Sequence, residues 1–260
     1  MRIIRYQYGG NTSYGIVNGD KVEQVSGDPF DGYSQTGHVL PLSAVRIRIP
    51  FAPRTFYAAG INYGEHVREA AKLLGREPDL PDKADVGYRA NNALIAHEES
   101  IVIPKDATER VQYEGELVVV IGKHVKHLSE AEAFDCILGY TIGNDVSERT
   151  WQAGDRTMWR SKNADTFKPM GPWIETEANP EDMQTTVRLN GDVVSQFATN
   201  NMIFGIAHYI SEMTRYLTLY PGDMIWMGTD GATDNMKAGD VVEVEISGIG
   251  VLRNPIVMEE

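Results

Sequence analysis

Cysteine is almost absent from this chain of 260 residues. Cys136 is the only one, so no intramolecular disulfide can form and a disulfide-stapled secreted scaffold is excluded. Positive charge is also scarce. Lys and Arg number 24 against 37 Asp and Glu, a formal charge of −13, which repels phosphate backbones and leaves no basic stripe to bind nucleic acid. No segment approaches the ~18 apolar residues of a membrane span, and Met1 to Tyr6 lacks a signal-peptide apolar stretch. These absences predict a soluble, cytoplasmic protein with neither nucleic acid nor membrane as partner. The glycines do not take the spacing of a phosphate-binding loop. What is present, 42% hydrophobic and 23% charged residues, is a globular composition, and a chain of this length buries about 70–75% of its unfolded surface.

Turn signals divide the first fifty residues into a β-meander: Ile3–Tyr8, a Gly9-Gly10-Asn11 turn, Ser13–Val17, an Asn18-Gly19 turn and Val22–Val25. Asp28 to Gly37 reads as a loop, and Pro50 to Pro53 mark a junction, giving a small β domain over 1–50 and a main domain over 51–260. Strands are predicted at Thr55–Ala59, Ala93–Ala96, Ile101–Ile103, Glu114–Ile121, Gly139–Gly143, Thr185–Leu189, Val193–Gln196, Met224–Met227 and Val242–Ile246, with a last strand after Gly250. Helices are predicted over Tyr63–Leu74, ended by Gly75 and a polar linker that would let it act as a lid, and over Met202–Met213, with Ile203, Ile206, Ile210 and Met213 as a core stripe. A third, Ala131–Leu138, is opened by the Ser129/Glu132 capping box and holds Cys136 as a packing residue. Many strands without regular strand–helix alternation predict α+β rather than a doubly wound sheet.

The chemistry concentrates around Glu114-Gly115-Glu116, directly ahead of the apolar run Leu117–Ile121. Strand geometry puts both carboxylates on one face, roughly 7 Å apart, and two like charges entering a sheet buried on both faces require protonation or a shared cation. The same spacing at Glu243 and Glu245 lies in an alternating strand and reads as a solvated face. Asp145, at a polar turn after Gly139–Asn144, supplies a third carboxylate. An all-oxygen set favours Mg²⁺ or Mn²⁺ over Zn²⁺, with Ca²⁺ also suitable. His66 and Glu69, three apart on the first helix, form a candidate base and its orienting carboxylate, or else an exposed polar face. His38, His97, His124, His127 and His208 have no such arranged partner. Lys162 and Arg149 are cations near Asp145 that suit a substrate carboxylate or oxyanion, and Gln152 and Thr229 offer neutral donors.

Taken together, Asn62-Tyr63 with His66 and Glu69, Tyr113–Leu117, Val120–Gly122, Gly139–Thr141 with Asn144–Ser147, Lys162 before Pro169-Met170-Gly171-Pro172, Asn190-Gly191, Pro221–Asp223 and Gly228-Thr229 resemble the fumarylacetoacetate hydrolase family. The resemblance implies a mixed β-sandwich roll, usually a homodimer, with Mg²⁺ held by Glu114, Glu116 and Asp145. It also implies His66 with Glu69 as a water-activating pair, Lys162 as an active-site cation, and Arg89, Arg149, Gln152 and Thr229 as substrate contacts. The activity implied is hydrolysis of a carbon–carbon bond in a 2,4-dioxo acid of the acylpyruvate or fumarylpyruvate type, giving pyruvate and a carboxylic acid, as in aromatic catabolism. Oxaloacetate decarboxylation and 2-oxo acid isomerisation or hydration share the same enolate and stay open, as does a non-catalytic metal-binding scaffold. Departures from the family pattern fall at Gln112, Glu148, Thr150 and Asn163-Ala164 and bear on the substrate.

Overall fold

Positive φ at both Gly9 and Gly10 suits the tight turn between the first two strands of this computed structural model, which describes residues 1–73, 75 and 77–260, apart from the side chains of His66, Glu69, Ala70 and Leu73. The meander comprises β1 (Arg2–Tyr8), β2 (Asn11–Asn18) and β3 (Lys21–Asp28), followed by β4 (Gly32–Pro41). This fourth strand corrects the loop expected over 28–37. It pairs only with β3 at the sheet edge and buries little beyond Leu40, so it needs no apolar alternation and its Gly, Ser and polar residues disguise it. A short β5 (Arg46–Ile47) pairs back onto β1.

The chain continues through β6 (Phe56–Ala59), α1 (Gly64–Leu73), β7 (Val86–Tyr88), β8 (Leu94–Ile95), β9 (Ile101–Ile103), β10 (Val111–Gln112), β11 (Gly115–Ile121), β12 (Ile137–Asn144), β13 (Ser147–Glu148), α2 (Arg149–Gly154) and β14 (Lys168–Glu175). Then come β15 (Gln184–Leu189), β16 (Asp192–Ala198), α3 (Ile206–Tyr216), β17 (Met224–Trp226), β18 (Val241–Ile246) and β19 (Gly250–Met258). One large sheet runs β4-β3-β2-β1-β14-β12-β11-β17-β6-β7, a second runs β16-β15-β18-β19-β9, and β10 pairs β13. Most pairs are antiparallel, while β6 with β17, β8 with β14 and β9 with β19 are parallel, so the sheets are mixed.

Strand β11 is the hub. Its residues Leu117, Val119 and Ile121 face a core shared with Val187, Val244, Ile246 and Leu252 of the second sheet and with Ile206, Ile210 and Met213 of α3. Val118 and Val120 face the opposite side, against Phe56, Met170, Ile174 and Trp226. Burial on both faces explains the unbroken apolar run. At ~1.5–3 kcal/mol for each fully buried aliphatic side chain, the five residues Leu117–Ile121 contribute on the order of 10 kcal/mol of gross burial, which fixes the register that aims Glu114 and Glu116.

Three other expectations need correction. The segment 131–138 forms a 3₁₀ turn over Glu130–Cys136 with the Ser129/Glu132 capping box in place, and Leu138 already belongs to β12. Helix α3 starts at Ile206 instead of residue 202 because the preceding residues bond elsewhere: Met202 bridges to Tyr63, and the Ile203 and Phe204 amides donate to Asn62. The central strand β14 is absent from the sequence-based expectations. Pro169, Gly171 and Pro172 interrupt its pattern, and proline within a run argues against a strand. Cys136 packs in the core as expected, and burial pushes its thiol up to about 11.

Candidate active site

The β11–β12 register pairs Gly115 with Asn144, and the Asp145 amide donates to the Glu114 carbonyl at 2.9 Å. Two strand ends thereby bring three buried carboxylates together. Glu114, Glu116 and Asp145 each offer an oxygen within 4.8 Å of the others. They border a pocket of about 340 Å³ whose wall also includes Asn62, Asp85, Arg89, Arg149, Gln152, Lys162, Gly228 and Thr229. All four substrate contacts named from the sequence therefore lie on one cavity. The side chains of His66 and Glu69 lie outside the described residues; the backbone of both belongs to α1. Helix α1 follows Asn62, which is fixed by donating to the Met227 carbonyl at 2.9 Å.

Buried side-chain cations answer part of the charge problem. Lys162 Nζ lies 2.5 Å from Glu114 Oε2 and 2.7 Å from Asp145 Oδ2. Arg149 reaches Glu114 Oε1 at 2.7 Å, and Arg89 reaches Asp145 Oδ2 at 3.0 Å. Arg149 is in turn held by Gln112 Oε1 at 2.8 Å and Gln152 Oε1 at 2.9 Å. Burial raises the Asp145 carboxyl, but Arg89, Lys162 and Lys168 outweigh it and hold the group well below the usual carboxylate range. At Glu114 burial is likewise overcome, by Lys162 and Arg149, and its pKa falls.

Glu116 is different. Its one described hydrogen bond comes from the Gly228 amide at 2.9 Å. Burial, then Asp145, then Glu114 push its carboxyl up to about 8. A buried carboxylate kept from ionising by two others is the condition that a shared dication relieves, and three hard oxygen donors suit Mg²⁺ or Mn²⁺. The residues present fit such an ion.

Sequence reasoning missed Lys168, which is fully buried with Nζ 2.6 Å from Asp145 Oδ1; burial brings its ammonium down to about 8. It also missed Asp85 and the Gly228 amide. Among the remaining histidines, His208 does have a partner, Glu130 at 2.9 Å, and His124 stacks on Tyr220 with ring centroids 4.7 Å apart. His97 Nδ1 accepts the Arg253 amide at 3.1 Å. Glu243 and Glu245 lie on the partly exposed face of an alternating strand, apart from the pocket, but that strand is interior, between β15 and β19, instead of at an edge, and the two carboxylates pair with Arg253 and Arg188.

Residues 55–257 match the family model "Fumarylacetoacetate (FAA) hydrolase C-terminal". The chain belongs to the fumarylacetoacetate hydrolase family. Residues 1–50 match a second model, "Rv2993c-like, N-terminal". Among curated relatives, the mitochondrial oxaloacetate tautomerase FAHD2A of Bos taurus is 34% identical over 84% of this chain and 72% of its own. The crystal structure of 5-carboxymethyl-2-hydroxymuconate delta-isomerase from Mycobacterium smegmatis is 34% identical, with a TM-score of 0.90 over 100% of both chains. A maleylpyruvate hydrolase from Sphingobium sp. SYK-6, solved with manganese(II) and pyruvate, shares the fold at 23% identity and a TM-score of 0.81, again over 100% of both chains. Members of the fumarylacetoacetate hydrolase family are thus enzymes of isomerase and hydrolase type around one mixed-sheet fold. No helix among the described residues is long and apolar enough to cross a membrane.

Proposed function

We propose that this member of the fumarylacetoacetate hydrolase family is a divalent-metal-dependent enzyme that isomerises a small 2-oxo acid through its enolate. The observation that carries the proposal is the convergence of three buried carboxylates and their cations on one pocket of about 340 Å³. Glu114, Glu116 and Asp145 would hold Mg²⁺ or Mn²⁺, and the ion would supply Lewis acidity toward the 2-oxo group. Arg149, Gln152 and Thr229 on the pocket wall bind and orient the substrate carboxylate, and Arg89 adds positive charge beside Asp145. Lys162 Nζ has three N–H groups and two described acceptors. Its third N–H donates to the enolate oxygen where charge develops. His66, the base read from the sequence with Glu69 three residues further on, would move the proton at the carbon beside the 2-oxo group. The isomerase and tautomerase relatives at 34% identity support this reading.

Hydrolysis of a 2,4-dioxo acid is the second reading, favoured by the His66/Glu69 spacing on α1, where the same base would deprotonate water. A panel of oxaloacetate, acylpyruvates and fumarylpyruvate with Mn²⁺ separates the two. Isomerisation changes the enol absorbance and leaves the carbon skeleton intact. Hydrolysis releases pyruvate with a carboxylic acid, and decarboxylation releases CO₂. Turnover undiminished by EDTA would overturn both main readings.

A further inference from the structure

Of the four cations around the carboxylates, Arg89, Arg149 and Lys162 line the pocket and Lys168 does not. Its position follows from register. Strands β12 and β14 pair antiparallel with Gly143 opposite Met170, and just beyond that pair the Val146 amide donates to the Phe167 carbonyl at 3.1 Å, which brings Asp145 and Lys168 together where β12 ends and β14 begins. The buried ammonium meets Asp145 Oδ1 at 2.6 Å and donates to the carbonyls of Val146 at 3.0 Å and Phe167 at 2.9 Å. Three N–H groups thus have three acceptors. Lys168 has no donor left for a substrate and no freedom to turn toward one. The other oxygen of Asp145 already carries Lys162 at 2.7 Å and Arg89 at 3.0 Å. Any divalent cation that takes Asp145 as a ligand must share an oxygen with a fixed positive charge.

We infer that Lys168 is a positioning residue that acts through Asp145: it fixes the carboxylate, lowers the affinity of the triad for divalent cations by competing for Oδ1, and adds positive charge that favours an anionic substrate. The inference rests on the reading of Glu114, Glu116 and Asp145 as the metal site. Removing a cation this close to a ligand oxygen strengthens metal binding in two ways. It abolishes a repulsion between like charges in a buried setting, and it leaves Asp145 Oδ1 with only the long contact from Arg89 Nε at 3.4 Å in the metal-free protein, a deficit that the metal then relieves.

The test is Lys168→Met, which keeps the aliphatic stem and deletes the charge, titrated with Mn²⁺ and followed by the paramagnetic resonance of the free ion. The variant is expected to bind Mn²⁺ at least tenfold more tightly than the parent and to melt at a lower temperature without metal. It should also gain more in Tm when Mn²⁺ is added, and its KM for the 2-oxo acid should rise by a larger factor than kcat falls. Lys168→Gln gives the same readout should the Met variant fail to fold. A lysine with a merely structural role would loosen Asp145 and weaken Mn²⁺ binding. Unchanged or weaker binding in a folded variant, with the parent binding normally, overturns this inference alone. Failure of the parent to bind Mn²⁺ overturns the metal-site reading and this inference with it.

Discussion

Gly143 lies opposite Glu116 in the β11–β12 register and two residues before Asp145, so replacing it by alanine tests how packing under the site sets its geometry. A Cβ at this position would stand 2.5, 2.6 and 2.8 Å from Cζ3, Cη2 and Cε3 of Trp226, well inside van der Waals contact. The backbone of Gly143 is not in the left-handed region, so the penalty is steric and not conformational. Trp226 cannot easily retreat: it is fully buried, with its ring 4.8 Å from that of Phe56. Overpacking typically costs 1–3 kcal/mol, and a rigid ring on one side and sheet backbone on the other place Gly143→Ala near the top of that range, at about 3 kcal/mol. Trp226→Phe removes part of the clashing ring and leaves room, at its own cavity cost. Urea unfolding in EDTA of the parent, both single variants and the double variant gives the coupling. The Gly143→Ala penalty should shrink by about 1.5 kcal/mol or more in the Trp226→Phe background, within the range of contacting pairs. Simple additivity, or a penalty under about 0.5 kcal/mol, would refute the packing argument. Mn²⁺ affinity should fall in Gly143→Ala and recover in part in the double variant, because Asp145 directly follows β12.

Two further outcomes concern pH. Glu175, buried at the end of β14, receives the Met1 ammonium at 2.6 Å and Arg2 at 3.3 Å. Burial opposes ionisation there, but these donors prevail and its pKa is lowered; its stabilisation is present above the ordinary carboxylate range and is lost as pH falls through the depressed value. Glu175→Gln should cost about 1 kcal/mol at pH 7 in urea unfolding, and the gap from the parent should narrow toward pH 3; a gap independent of pH would count against the ion pair. Glu116 has the opposite sign, its carboxyl being pushed up to about 8, so metal-free stability from this group declines as pH rises from about 4.5 toward 8. Mn²⁺ binding at pH 7 should therefore release close to one proton, measurable by calorimetry in buffers of different ionisation heat. Binding with no proton release would show that Glu116 is already ionised.

Legibility in the sequence follows the range of the interactions. Strand β9 is legible with its observed bounds and β11 to within one residue, because their patterns are local: a short apolar run and a doubly buried strand. Glu114 and Glu116 stand out as charges placed where an apolar sheet would not tolerate them unaided, and Asp145 as a carboxylate at the polar turn that ends a short strand. Lys168 does not, since its meaning comes from the β12–β14 pairing, and Pro169 beside it argues against any strand. The same long-range origin hides the Gly228 amide on Glu116 and the Glu130 partner of His208, which are 112 and 78 residues away in the chain. Strand β4 is obscured for a different reason: an exposed edge strand has no buried face to impose a pattern.

One divalent-metal site formed by the three carboxylates underlies the activity proposed for this protein. Glu116→Gln is the sharpest probe, because glutamine keeps the shape and can still accept the Gly228 amide at Glu116's position, while the charge that a dication requires is gone. Equilibrium titration with Mn²⁺ at about pH 7.5, below the raised Glu116 value, where the metal must displace a proton, should give one ion per chain for the parent. Binding at least a hundredfold weaker is expected for Glu116→Gln, with metal-free stability retained or raised. Equal Mn²⁺ affinity in the two proteins would contradict the site.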